Sequence, residues 1–247
     1  MKKTLKKLYT QALGSFYNPG SNTVILNGHD FNMGDGKVGN KKERADRLLK
    51  QLSKKYKLLD LAEALHNIEE KKTNKAQIAF TFDDGFKECL EIAEVFNDRE
   101  LSVGFFLSTK YHLGGYSGLP LDRFNKAFLD IKDIKNIHNM GHIIGAHTHT
   151  HLSLSEVTHE NFHNEILKPK EIIEEVTNHE CRYFAAPYGV GVDLDPEIIS
   201  GIREVYQSIF WSNNKNRGSF EKGGLNRRHF ELNWSYRTVN YFLSKCG

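Results

Sequence analysis

The chain has 247 residues, of which 39% are hydrophobic and 26% charged, and its formal net charge is +3. This size and balance are typical of one globular domain with its own core, and they argue against disorder. The near balance of 34 Lys and Arg against 31 Asp and Glu argues against a dedicated nucleic-acid binder, which usually carries a clustered basic surface. Three scattered cysteines without a CxxC pair disfavour a disulfide scaffold or a thiolate zinc site.

Residues 1–20 are predicted to form an N-terminal amphipathic helix, and residues 21–247 a single catalytic domain. In the first segment Leu5, Leu8 and Leu13 recur at helical spacing among several lysines. This helix either packs on the domain or rests on an anionic membrane surface. The segment lacks the apolar stretch of a secretory signal, so the expected location is the cytoplasm, with membrane association through the helix as an open alternative.

Strand and helix patterns alternate through the rest of the chain, with a loop predicted at 31–40. Strands are predicted at 23–26, 77–82, 102–107, 143–146, 182–186, 205–211 and 230–232. Helices are predicted at 41–54, 60–70, 87–97, 121–139, 155–177 with a bend near Pro169, 196–203 and 235–243. Such alternation predicts a largely parallel sheet wrapped by helices, either a βα barrel or an open α/β sheet.

Polar residues gather directly after several of these strands, where both architectures build their sites. Asp83 and Asp84 follow the apolar strand at 77–82, and Gly85 turns the chain. Two adjacent carboxylates repel each other unless a cation or a donor compensates them. The alternative is structural, with Asp84 as the N-cap of the next helix.

A second polar segment, HTHTH, follows the strand at 143–146. If it turns from strand towards helix, His147 and His151 converge while His149 points elsewhere. Two imidazoles and one carboxylate form a three-ligand set with open positions, which is typical of a catalytic zinc or a related divalent ion. The alternative is a polar turn with solvated histidines.

Two further residues have both a structural and a functional interpretation. Arg182 in RYFAAPYG is predicted to lie in a strand, where a buried guanidinium needs a carboxylate. It forms either a structural salt bridge or a contact that keeps Asp83 ionised and aimed. Trp211 is predicted to be a core residue rather than a platform for a sugar.

The three segments TFDDG, HTHTH and RYFAAPYG together resemble the motifs of the polysaccharide deacetylase family, also known as NodB-homology or carbohydrate esterase family 4. The resemblance extends over residues 20–232. It implies an α/β fold, a distorted NodB-like (β/α) barrel of about seven strands. It also implies hydrolysis of an N-acetyl group from an amino sugar with one divalent metal ion, zinc first, with cobalt, nickel or manganese as alternatives.

The resemblance also implies a role for individual residues. The metal ligands would be Asp84, His147 and His151. Asp83 would be the catalytic base, Arg182 would orient it, and the backbone N–H of Tyr188 would help to hold the oxyanion. His29 in VILNGHD is favoured as the general acid over His229, with another group as the remaining source of the proton.

The chain departs from the family pattern in two places. Trp211 is followed by Ser212 where the family has an aspartate, and the family's Leu-x-His motif in the last strand is not evident. The expected substrate is an N-acetylated saccharide of surface-polysaccharide or cell-envelope metabolism, with no nucleic acid as partner. Two alternatives remain, namely hydrolysis of a formamide or cyclic imide at the same metal site and a non-catalytic carbohydrate-binding relative.

Overall fold

The computed structural model describes residues 22–31, 41–70, 76–112, 127–189, 194–212, 220–221 and 224–243. The helix predicted at 1–20, nearly all of the loop predicted at 31–40 and the first part of the helix predicted at 121–139 lie outside these ranges. None of the described helices is long and apolar enough to cross a bilayer.

Ten strands and seven α-helices alternate along the described chain. The strands are β1 Thr23–Gly28, β2 Lys57–Leu58, β3 Gln77–Phe82, β4 Gly104–Leu107, β5 Ile143–Ala146, β6 Tyr183–Ala185, β7 Ser208–Trp211, β8 Phe220–Glu221, β9 Gly224–Asn226 and β10 Arg228–His229. The helices are α1 Lys41–Leu52, α2 Leu61–Glu69, α3 Cys89–Asn97, α4 Ile131–Asn139, α5 Lys168–Thr177, α6 Pro196–Val205 and α7 Tyr236–Leu243.

The strands form one sheet in the order β10-β1-β3-β4-β5-β6-β7-β9-β8, with β2 beside β3. Every pairing is parallel except that of β8 with β9. The segment 224–229 pairs first with β7 and then with β1, so it lies between the two ends of the main sheet. The strands β1 and β3 to β7, together with this segment, make a nearly closed barrel with seven strand positions. This architecture confirms the predicted fold.

The side chains of the barrel strands alternate between two apolar layers, as a period of two requires. One position of each of six strands contributes to an inner cluster: Ile25, Ala79, Phe106, Ala185, Phe210 and Leu225. Helix α2 adds three residues to it, and the outward-facing positions pack against the other helices. Gly145 belongs to this interior, because a Cβ there would lie 2.5 Å from the ring of Phe106.

Two predicted helices differ in extent from the observed ones. The helix predicted at 121–139 begins at Ile131, because Asp130 and Asp133 form a reciprocal capping box at its start. Just before it, Phe128 forms a β-bridge with Phe86. The helix predicted at 155–177 is interrupted: a 3₁₀ turn at Leu154–Glu156 is followed by irregular chain with a turn at 159–161, a π-helical turn at His163–Leu167 and then α5.

The strand predicted at 230–232 is wrong. The residues that close the sheet are Arg228 and His229, which pair with Leu26 and Asn27 of β1. The predicted strand is the more apolar of the two segments, but its residues Phe230 and Leu232 pack in the layer between sheet and helices. The hydrophobic pattern therefore identified residues that contact the core, but it did not identify the residues whose backbone pairs with β1.

Candidate active site and metal centre

The carboxylate of Asp83 is held inside the barrel by an arginine from the closing segment. Arg227 Nη1 donates to Asp83 Oδ1 at 2.7 Å, and Nη2 donates to Oδ2 at 2.6 Å. Both side chains are buried, and the guanidinium lies over the rings of Phe106 and Phe210, with centroid distances of 5.2 and 5.6 Å. A planar two-point contact of this kind fixes the orientation of a carboxylate as well as its charge.

Two further polar side chains complete this arrangement. Asn27 Nδ2 donates to Asp83 Oδ2 at 2.7 Å and to Ser212 Oγ at 2.8 Å. Ser212 Oγ also accepts from Arg227 Nη2 at 3.1 Å. Asn27, Arg227 and Ser212 each come two residues after a member of the inner apolar cluster. They therefore form the polar layer directly above it, towards the carboxyl ends of the strands.

Asp84, the neighbour of Asp83, lies beside two imidazoles. Asp84 Oδ1 is 3.0 Å from His151 Nε2 and 3.4 Å from His147 Nε2, and all three side chains are at least nine-tenths buried. One ligand atom from each residue lies within 4.8 Å of the other two. The structure thus brings together the three residues that the sequence predicts as metal ligands.

Hydrogen bonds at the far side of each ring orient these imidazoles. His147 Nδ1 donates to the carbonyl of Ala185 at 2.8 Å, because a carbonyl can only accept. His151 Nδ1 lies 3.0 Å from the hydroxyl of Tyr188. Histidines that bind metals are oriented in this way, through the ring nitrogen that does not face the ion.

The donor set fits a divalent cation. If His147 is neutral with its proton on Nδ1, its Nε2 lone pair faces the lone pairs of Asp84, which is repulsive unless a cation or a proton lies between them. Asp84 Oδ1 is buried and has no hydrogen-bond donor among the described residues. Two imidazole nitrogens and one carboxylate oxygen are the ligand types of catalytic zinc and related ions.

Neighbouring charges favour the ionised form of three groups of the site. Burial would raise the pKa of Asp83, but the Arg227 guanidinium and His147 outweigh it and lower that pKa. The pKa of Asp84 is lowered as well, because its close contacts with the His147 and His151 imidazoles outweigh burial. Burial would lower the pKa of His147, but the two aspartates outweigh burial and raise that pKa. Both carboxylates are therefore ionised at neutral pH.

Backbone strain is concentrated at this site. Among the described residues six non-glycine residues have a positive φ, and four of them are Asp84, Thr148, His151 and Tyr188, with φ between 57° and 71°. Each such residue costs on the order of 1–2 kcal/mol. Strain of this kind commonly marks functional sites, where the surrounding structure enforces an unfavourable conformation.

An open cleft of about 340 Å³ lies over these groups. Every predicted site residue except Arg182 lines it: His29, Asp83, Asp84, His147, His151, Tyr188 and His229. The rings of His29 and His229 face each other with centroids 5.7 Å apart. His229 Nε2 lies 2.8 Å from Glu231 Oε1, whereas burial lowers the pKa of His29 against the opposing effect of Asp84 and Asp83.

Comparison with known proteins identifies the family. The sequence profile described as polysaccharide deacetylase matches residues 70–199, more than half of the chain. The chain belongs to the polysaccharide deacetylase family. The peptidoglycan-N-acetylglucosamine deacetylase of Bacillus cereus is 30% identical over 118 residues, which are 47% of this chain and 38% of that protein. The chain therefore aligns with well under half the length of this relative.

Solved structures of polysaccharide deacetylases and related proteins share the fold. IcaB from Ammonifex degensii superposes with a TM-score of 0.70 at 17% identity, over 92% of this chain and 99% of IcaB. The deacetylase PplD of Streptococcus pyogenes gives a TM-score of 0.68 at 18% identity, over 90% and 97% of the two chains. At such identities the likeness shows the barrel architecture.

In this member of the polysaccharide deacetylase family, the predicted contact between Arg182 and Asp83 does not exist. Arg182 is exposed, and its Nε donates to Glu180 at 2.8 Å. It precedes the first residue of β6, whereas Asp83 follows the last residue of β3. Because these strands are parallel, the two residues lie at opposite ends of the barrel, and Arg182 lines a separate cleft there with His138 and His179.

Arg227, Asn27 and Ser212 were not predicted from the sequence. The signal for the first two was the two-residue spacing, from Leu225 to Arg227 and from Ile25 to Asn27, which places each on the inward face of its strand. Ser212 directly follows the last residue of β7, and its hydroxyl accepts from the guanidinium. Trp211 is fully buried, as predicted.

Proposed function

We propose that the protein removes N-acetyl groups from an amino sugar of a surface polysaccharide or cell-envelope glycan, using one divalent metal ion, first of all zinc. The observation that carries this proposal is the position of Asp83. Its side chain is ionised and held by Arg227, and its neighbour in the chain, Asp84, shares a buried cluster with His147 and His151. Family membership and the identity to a peptidoglycan deacetylase support the same reaction.

The metal would be held by Asp84, His147 and His151. A divalent ion at such a site polarises a carbonyl oxygen and lowers the pKa of a water molecule. Hydrolysis of an amide needs this help, since an unassisted amide is a poor electrophile.

Asp83 is suited to take the proton of the attacking water. A carboxylate offers about four acceptor positions. Among the described residues Arg227 and Asn27 use three of these positions, two of them on Oδ2. One acceptor position on Oδ1 therefore remains for a water proton. A base in this position typically contributes about 10²–10⁴-fold to the rate.

The leaving nitrogen needs a proton, and two imidazoles face the cleft to supply it. The sequence favours His29, but burial lowers the pKa of that ring, which disfavours its charged form at neutral pH. The carboxylate of Glu231 lies 2.8 Å from His229 Nε2 and orients that ring, and this geometry favours His229. We propose in addition that the backbone N–H of Tyr188, at the rim of the cleft, stabilises the developing oxyanion.

The decisive experiment combines metal analysis with product analysis for three proteins. The wild-type chain is expected to bind one equivalent of zinc and to release acetate from N-acetylated oligosaccharides. Asp83→Asn should keep the metal and lose about 10²–10⁴-fold in rate, because it removes only the base. Asp84→Ala should lose the metal as well.

The outcomes separate the proposal from its alternatives. Release of formate, or of a ring-opened imide, would show that the same site acts on another C–N bond. Saccharide binding with no turnover in zinc, cobalt, nickel or manganese would indicate a non-catalytic relative. Full metal content in Asp84→Ala would reject the ligand assignment.

A further inference from the structure

The HTHTH segment that carries two of the proposed metal ligands is held from two sides. On one side, residues that follow β4 contact carbonyl groups of this segment and the ring of His149. Ser108 Oγ donates to the carbonyl of His147 at 2.8 Å, and the amide of Lys110 donates to the carbonyl of His149 at 2.9 Å. Tyr111 adds a bond from its hydroxyl to the carbonyl of Thr150 at 3.0 Å. On the same side, the amide of His147 donates to the carbonyl of Leu107 at 2.9 Å, whereas the amides of His149 and Thr150 have their acceptor elsewhere.

A single buried carboxylate, that of Glu165, accepts from both of these amides. Its Oε2 accepts from the amides of His149 and Thr150 at 3.1 and 3.0 Å. Its Oε1 accepts from Thr150 Oγ1 at 3.0 Å and from Asn164 Nδ2 at 3.2 Å. The residue is only 3% exposed. A carboxylate is costly to bury without hydrogen-bond donors, and four donors compensate this cost here.

The local backbone of Glu165 is unusual in a way that fits this role. The residue lies in the π-helical turn His163–Leu167, directly before α5. Such turns are rare and occur frequently at functional sites, because the extra residue re-aims a side chain. The segment that Glu165 binds contains Thr148 and His151 in left-handed conformations. A strained turn persists only when its surroundings enforce it, and Glu165 supplies two of the enforcing bonds.

We propose that Glu165 is a positioning residue of the metal site: it fixes the turn between His147 and His151 and thereby sets the separation of their Nε2 atoms. The proposal rests on the proposed metal function. Glu165 itself contacts neither ligand ring in the described structure; it acts through the backbone between them. Its removal should therefore weaken metal binding and alter the coordination geometry without removing any ligand.

The test compares Glu165→Leu with Glu165→Gln and with a matched control, Glu174→Leu. Glu174 lies on α5 and accepts the amide of Cys181 at 3.0 Å, so its loss also removes a carboxylate–backbone bond, but one to the chain before β6 and not to the HTHTH segment. Cobalt is used as the probe, since its visible spectrum reports ligand geometry. Dissociation constants for Co²⁺ and Zn²⁺ are measured at a temperature where circular dichroism shows each variant folded.

Glu165→Leu is expected to weaken metal binding by about 10- to 100-fold and to change the Co²⁺ spectrum. Glu165→Gln should recover part of the affinity, because its amide oxygen can still accept both backbone N–H groups. Glu174→Leu should bind metal as the wild type does. An unchanged affinity and spectrum in Glu165→Leu, with only a lower melting temperature, would overturn the proposal by showing a purely structural role.

A fourth variant covers the case in which Glu165→Leu does not fold. Thr150→Val removes one bond to the carboxylate and leaves the residue in place. It should weaken Co²⁺ binding by several-fold, and affinity equal to that of the wild type would then overturn the inference. If the wild-type chain itself binds no divalent ion, the proposed function fails; if it binds and the Glu165 variants bind equally, only this inference fails.

Discussion

Arg227 and Asp83 lie 144 residues apart in the sequence and form a two-point ion pair in the interior of the barrel. Arg227 is the residue between β9, which pairs with β7, and β10, which pairs with β1. The ion pair therefore ties the segment that closes the sheet to the end of β3. One contact serves both the closure of the fold and the orientation of the proposed catalytic base.

Substitution of Arg227 should lower stability and activity, whereas substitution of Arg182 should change neither. Arg227→Met leaves the Asp83 carboxylate buried without its partner, which typically costs about 3–5 kcal/mol. Its deacetylation rate should fall at least about 10²-fold, since the base loses its orientation. Arg182→Met, which affects only an exposed pair with Glu180, should match the wild type in both respects. Urea denaturation and acetate release measure the two effects, and an inactive Arg182→Met would contradict this assignment.

Variants of the two facing histidines should identify the proton donor. We expect His229→Gln to lower kcat on an N-acetyl sugar by about 10²–10⁴-fold, and His29→Gln to have the smaller effect. An activated aryl acetate serves as the control substrate, because its leaving group needs no proton. His229→Gln should hydrolyse it at close to the wild-type rate. A larger loss in His29→Gln, confined to the amide substrate, would assign the role to His29 instead.

The stability of the metal-free protein should fall in acid partly because of His142. This buried ring accepts from the amide of Val103 at 3.3 Å and donates to the carbonyl of Ala93 at 3.0 Å, so it is neutral. Burial lowers its pKa below the ordinary value of 6.5. The unfolded chain therefore takes up this proton more readily, and the contribution of His142 to stability is complete above pH 6.5 and decreases below it.

His142→Asn keeps an acceptor for the amide of Val103 and removes the titration. The variant should be less stable than the wild type at pH 8, and the difference in free energy of unfolding should become smaller at pH 5. Urea denaturation in the presence of a chelator measures both values. A difference that is the same at the two pH values would show that His142 does not titrate as described.

The two described cysteines should be inert in the folded protein. Cys89 and Cys181 are both buried and free. Burial raises the pKa of Cys181 to about 12 and that of Cys89 well above its usual value. Because the thiolate is the reactive form, iodoacetamide at pH 8 should leave both unmodified in the native state and alkylate both in urea. Peptide mass spectrometry reads out each site, and rapid native labelling of either one would contradict the described burial.

The sequence predicted that Asp84, His147 and His151 come together because the signals that place them are local. Asp83 and Asp84 directly follow a six-residue apolar strand, and His147 directly follows β5, so the parallel arrangement alone brings them to the same edge of the barrel. Strands of four to six buried residues are clear in the pattern. The predicted positions of these residues therefore depend on few long-range contacts.

The missed residues depend on contacts that no local pattern encodes. Arg227 lies between strands of three and two residues, too short to show a period, and its partner is fixed only when the barrel closes. The contact between Arg182 and Asp83 was suggested by the motif RYFAAPYG, but Arg182 stands at the start of its predicted strand, whereas Asp83 follows the end of a parallel one. Glu165 reaches the histidine segment through a π-helical turn, and helical periodicity does not predict such a turn.

The left-handed residues Asp84, Thr148, His151 and Tyr188 have a consequence for the evolution of this protein. Glycine at any of these positions would relieve a conformational penalty, so selection for heat resistance alone would favour it. At Asp84 and His151 the same replacement would delete a proposed ligand. Selection for thermal stability and selection for turnover therefore favour different residues at these positions. Thermostabilised variants of this barrel should be screened for turnover at each step.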